Sequence, residues 1–126
     1  MLIYLNGIPL KGNPESQRVQ SALPLSNIFE VTEVEQVPRF GNEWAFCIRL
    51  NDGQILCSES YKTKEEAEMH QFSTVSIINA LEIVENLREN GNTNGYEVAF
   101  DWVDVKNREL KRSLIDPNIS IYTIKI

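Results

Sequence analysis

Residues 44–59 read WAFCIRLNDGQILCSE, and residues 63–91 read TKEEAEMHQFSTVSIINALEIVENLRENG. In the first stretch Trp44, Phe46, Ile48 and Leu50 alternate with smaller or polar residues, the period of a half-buried strand. Asn51-Asp52-Gly53 fits a three-residue hairpin loop with glycine in the left-handed position. That loop sets Leu50 against Gln54, Ile48 against Leu56, and Cys47 opposite Cys57. The second stretch predicts a long helix over about residues 64–90. Thr63 with Glu66 forms a capping box, and Glu65, Glu66 and Glu68 place negative charge at the positive end of the helix dipole. Phe72, Val75, Ile78 and Leu81, widened by Ile77, Val84 and Leu87, supply the apolar face, and Asn90-Gly91 the stop.

Outward from this pair the pattern is rich in strands. Residues 2–5 read as a short strand turning at Asn6-Gly7 towards Ile8 to Leu10. Residues 11–27, punctuated by Gly12, Pro14 and Pro24, are expected to form a long surface loop with a short helix around Ser16 to Ala22. Phe29 to Val37 reads as a strand whose phase slips between Val31 and Val34, which a bulge at Thr32-Glu33 would repair. Pro38 ends it or marks it as an edge. After the helix, Tyr96 to Val105 carries Val98, Phe100 and Trp102 on one face. Lys106-Asn107 turns the chain and Leu110 to Ile115 returns. Asp116-Pro117-Asn118 is a turn, and Ile119 to Ile126 is a β-rich end expected to be tied into the sheet. The prediction is an α+β fold: a mostly antiparallel sheet with one long helix packed on one face.

At 126 residues the chain fits a single domain, residues 1–126, large enough to bury a core without metals or disulfides. No targeting segment and no membrane-length apolar run is present, so a soluble, cytoplasmic protein is expected. Asn118-Ile119-Ser120 matches a glycosylation acceptor but lacks the secretory signal that would give it meaning. The net charge of −6 argues against nucleic acid and anionic membranes, and is compatible with a basic protein partner.

Catalytic signatures are missing. His70 lies one turn after Glu66, a spacing suited to acid–base work, but no nucleophile stands beside it in sequence, and it reads as a partly packed helix residue. Cys47 and Cys57 face each other if the hairpin loop is right. A disulfide is disfavoured in a reducing compartment and no further ligands complete a metal site, so both read as small apolar residues. No metal or cofactor is called for. Trp44, Phe46, Phe100 and Trp102 could stack bases, but their parity assigns them to the core.

Two charged groups remain. Glu30, Glu33 and Glu35 form an acidic row on one strand and are candidate partner-binding residues. Lys106, Arg108, Lys111 and Arg112 place four of the chain's 12 basic residues within seven positions. In a strand Lys106, Arg108 and Arg112 would share a face, and in a helix Arg108, Lys111 and Arg112 would; either way converging guanidinium groups suit a small anionic ligand such as a nucleotide or phosphorylated metabolite. Pairing with Asp101, Asp104 and Glu109 is the structural alternative. The first functional expectation is a non-enzymatic, stoichiometric binding protein acting on a protein partner through its acidic surface. Its size and charge are those of phage anti-defence inhibitors and bacterial immunity proteins, a likeness of composition. The alternative is a small-molecule binder using the Lys106–Arg112 cluster. Self-association through the C-terminal strand is expected under either, with Lys125 as the charge that would oppose it.

Overall fold

A computed structural model describes residues 1–10, 18–38 and 41–126. The fold is α+β, with mostly antiparallel strands and one helix packed against the main sheet. Ten strands are described: β1 (Leu2–Pro9), β2 (Val19–Pro24), β3 (Ile28–Val31), β4 (Glu35–Val37), β5 (Glu43–Ala45), β6 (Cys47–Leu50), β7 (Ile55–Cys57), β8 (Val98–Asp104), β9 (Glu109–Ile115) and β10 (Ile121–Lys125). The helix α1 spans Lys64–Glu89. The main sheet has six strands in the order β10-β1-β7-β6-β3, with β2 pairing β1 off that path. β4 with β5 and β8 with β9 form separate two-stranded sheets.

The β6–β7 hairpin has the register its loop dictates. Cys47 lies opposite Cys57, Ile48 opposite Leu56 and Arg49 opposite Ile55, with Gly53 at φ 91° closing the turn. The helix begins where its cap sets it, the Thr63 hydroxyl accepting the Glu66 N–H at 3.2 Å. From α1, Ile77, Ile78, Ala80, Leu81 and Val84 enter one core with Ile3, Leu5, Phe46 and Ile48 of the sheet.

The helix face is rotated from its predicted position. Phe72 and Val75 are exposed, at 47% and 38%. With 3.6 residues per turn, each three-residue step falls back by about 60°. A series with only that spacing walks round the helix, so Phe72 lies about 180° from Leu81. The buried stripe instead follows the mixed spacing of Thr74, Ile77, Ile78, Leu81 and Val84.

Three other expectations are corrected. Asn6-Gly7 is not a turn: β1 runs unbroken through it, pairing β10 over Leu2–Asn6 and β7 at Ile8–Pro9. Gly7 marks the hand-over. A Cβ there would stand 3.0 Å from the Ile126 side chain and 3.1 Å from the Cys57 carbonyl oxygen, so glycine serves close approach. Residues 19–24 are neither helix nor loop but strand β2, antiparallel to β1, followed by a 3-10 turn at Leu25–Asn27. The part of that expectation covering residues 11–17 lies outside the described residues. Finally, residues 29–37 are not one bulged strand. β3 pairs β6, the chain breaks at 32–34, and β4 pairs β5, while the register irregularity falls between Ile28 and Glu30.

The C-terminal strand is tied into the sheet as β10, through a parallel pairing with β1 that places it at one end of the strand order. The β8–β9 hairpin docks on α1 through an unusual arrangement. The Asp101 N–H donates to the Ser76 hydroxyl at 2.9 Å and the Val103 N–H to the Ser73 hydroxyl at 2.7 Å. Helix hydroxyls thus satisfy the edge of β8 that β9 leaves open.

Candidate functional site

The basic cluster does not converge. Lys106 and Arg108 lie in the turn between β8 and β9, with Arg108 at φ 55°, so strand parity does not govern them. Lys111 faces Trp102 across the ladder while Arg112 faces Asp101 on the opposite side. Arg108 reaches Glu65 at 3.2 Å, Lys111 reaches Asp104 at 3.5 Å, and Arg112 reaches Asp101 at 2.9 Å. These pairs hold the carboxyls of Asp101 and Asp104 below their ordinary range, Asp101 through Arg112 and Asp104 chiefly through hydrogen bonds from Asn107. Lys111 and Arg112 thus serve the hairpin itself, and Arg108 ties its turn to α1.

The acidic residues are divided between elements. Glu30 sits on β3 and pairs with Arg49 at 2.7 Å, so it is compensated. Glu33 lies in the break and Glu35 opens β4, both exposed and neither in an ion pair among the described residues. Glu33 and Glu35 line a groove of about 320 Å³ together with Arg49, Cys47 and Cys57. On its other side Glu33 lines a second groove of about 290 Å³ with Lys64, Glu68 and Gln71. The break is held open by α1 and β6: Gln71 donates to the Thr32 carbonyl at 2.6 Å, and the Cys47 N–H to the Thr32 hydroxyl at 2.8 Å.

One aromatic residue missed in the sequence adjoins this rim. Phe29 is 64% exposed, with the Arg49 guanidinium 5.6 Å from its ring centroid. Arg49 therefore joins Phe29, Glu30 and the groove carrying Glu33 and Glu35 into one surface. Parity gave no signal for it, because Phe29 shares its parity with Val31, which packs against the core, and the register irregularity between Ile28 and Glu30 interrupts the alternation.

His70 lies on the core side. Its ring packs between Phe46 and Tyr61, with centroids at 5.5 and 5.6 Å, and its Nε2 has no hydrogen-bond partner among the described residues. Burial lowers its pKa from 6.5, against the opposing pull of Glu59 and of a hydrogen bond with the Ile126 backbone. Burial and neighbouring Glu59 push the Tyr61 phenol well above its ordinary value. Because His70 stacks on Phe46, and Cys47 points to the other face of the strand, sheet alternation separates the histidine from the cysteines. The cavity that His70 lines with Phe100, Trp102 and Tyr122 measures about 150 Å³. Small-molecule sites start at about 300 Å³.

Among the described residues no group of three or more His, Cys, Asp or Glu side chains could hold a metal ion, and no helix is long and apolar enough to cross a membrane. No protein-family model, curated protein or solved structure matches the chain.

Proposed function

We propose that the protein is a non-enzymatic, stoichiometric binding protein whose partner is a protein with a basic surface. The observation that carries this reading is the surface joined by Arg49: an exposed Phe29 under its guanidinium, and on the groove it also lines the carboxylates of Glu33 and Glu35, which no ion pair among the described residues compensates. Interfaces draw most of their affinity from a few aromatic or arginine anchors, and charge complementarity around them speeds encounter and rejects wrong partners. Phe29 supplies the anchor here and the acidic rim supplies the field. The net charge of −6 reinforces that field at long range.

The test uses immobilised protein and its E33K/E35K variant against the same cell extract, followed by titration of the captured protein at low and high salt. Wild-type binding is expected to weaken with salt, and the variant to bind roughly ten-fold more weakly at low salt. Phe29→Ala is expected to act mainly on the dissociation rate. A partner bound equally by wild type and E33K/E35K would remove the acidic rim from the interface.

A further inference from the structure

The floor of the groove carries two thiols whose placement goes beyond core packing. In the β6–β7 ladder the Leu50 N–H donates to the Gln54 carbonyl at 2.9 Å, and the Ser58 N–H to the Phe46 carbonyl at 2.8 Å. Hydrogen-bonded and non-hydrogen-bonded pairs alternate along an antiparallel ladder, so Cys47 and Cys57 occupy a non-hydrogen-bonded pair. Such pairs bring the Cα atoms to about 4.5 Å and set the side chains closest together. A disulfide spans Cα separations of about 4.4–6.8 Å. The two sulfurs are 2.7 Å apart.

We propose that Cys47 and Cys57 form a reversible dithiol–disulfide site, open to low-molecular-weight disulfides through the groove. Both residues line that groove, Cys47 half-buried and Cys57 1% exposed. Their unequal exposure assigns the order of events. The Cys47 thiolate attacks one sulfur of oxidised glutathione, the S–S bond of the reagent breaks, and a glutathione thiolate leaves. A mixed disulfide remains on Cys47. The Cys57 thiolate then attacks the Cys47 sulfur, forming the internal bond and expelling the second glutathione. Two protein thiols have given up two electrons and two protons, and one oxidised glutathione has become two reduced ones. No strand need slide, because the hairpin already holds the register. This site rests on strand register and groove access, independently of the proposed protein partner.

The experiment equilibrates the folded wild-type protein in mixtures of reduced and oxidised glutathione, quenches with an alkylating reagent, and reads the intact mass. As the oxidised fraction rises, both alkylation sites are expected to be lost together. The oxidised form carries no alkyl group and lies two hydrogens below the mass of the unalkylated reduced chain, the protein stays monomeric on a non-reducing gel, and dithiothreitol restores both sites. Cys57→Ser is expected to stop at a single glutathione adduct. Retention of both alkylatable thiols in fully oxidised glutathione would overturn the proposal, as would oxidation yielding only cross-linked dimers. The wild-type protein alone decides, so the outcome does not depend on the folding of a variant.

Discussion

Replacing Ser73 and Ser76 by alanine is expected to loosen the β8–β9 hairpin from the helix before it affects the rest of the molecule. Their hydroxyls accept the Val103 and Asp101 N–H groups at 2.7 and 2.9 Å, and Ser73 also donates to the Met69 carbonyl at 3.1 Å. Removing an acceptor from a largely buried backbone donor costs about 1–3 kcal/mol, and partial water access at these half-buried positions favours the lower end. Alanine is the better helix former and returns about 0.5 kcal/mol at each position. The net loss is therefore about 0.5–1 kcal/mol per serine and about 1–2 kcal/mol for the pair. For a domain of this size that is a Tm decrease of roughly 4–8 °C. Urea denaturation gives the total, and hydrogen exchange at the Asp101 and Val103 amides locates it. Both amides should lose protection ahead of those in β1, and Ser73→Thr, which keeps a hydroxyl, should lie between wild type and alanine. If S73A/S76A unfolds within about 0.5 kcal/mol of wild type with the two amides still protected, the hydroxyls are not what hold this edge.

Two further outcomes follow from the same packing. His70 has its pKa lowered by burial, so the unfolded chain takes a proton that the folded protein resists. Stability is then complete above about pH 6.5 and falls as pH drops from there towards the folded value, with a slope of at most about 1.4 kcal/mol per pH unit. Denaturation midpoints at pH 7.5 and pH 5.5 should show that fall in wild type and a smaller one in His70→Gln; equal slopes would refute it. Gly7→Val adds a branched side chain against Ile126 and the Cys57 carbonyl, and should destabilise by about 1–3 kcal/mol in a thermal melt. An unchanged Tm would show that β1 and β10 part easily.

The parts of the fold legible in the sequence are those set by short-range chemistry. Asn51-Asp52-Gly53 fixed the hairpin register, and Thr63 with Glu66 fixed the helix start, because each acts over a few residues. Glycine at position 7 defeated the same approach. A turn glycine and a close-approach glycine look alike until the neighbour is known, and here the neighbour is Ile126, over a hundred positions away. Strand β2 lies in a stretch punctuated by Gly12, Pro14 and Pro24 that resembles a loop, and its pairing with β1 makes it a strand. The candidate site was partly visible. Glu33 and Glu35 are exposed as expected, whereas Glu30 is neutralised by Arg49, a pairing across β3 and β6 that no local pattern encodes. The basic cluster was visible as composition, but its four side chains depend on a turn and a ladder for direction, and those lead three of them to carboxylates.

The break between Val31 and Glu35 connects these observations. Its imperfect alternation looks in sequence like a strand in need of repair by a bulge. In the folded protein it is not repaired: Gln71 and the Cys47 N–H hold Thr32 in place, and β4 leaves the main sheet to pair with β5. The pairing with β6 runs one residue past β3, the Thr32 N–H donating to the Cys47 carbonyl at 2.8 Å, and the chain leaves the sheet at Glu33. Glu33 and Glu35 then line a groove together with Cys47 and Cys57. The break is held by those hydrogen bonds and by Val34, which packs against the core, and such local departures from the periodic pattern are where folded proteins tend to place function. Here one groove carries both the carboxylates of the proposed interface on its rim and the thiols of the proposed redox site in its floor. The two proposals share that groove and can still fail separately in experiment, since one is read by salt-dependent binding and the other by thiol alkylation.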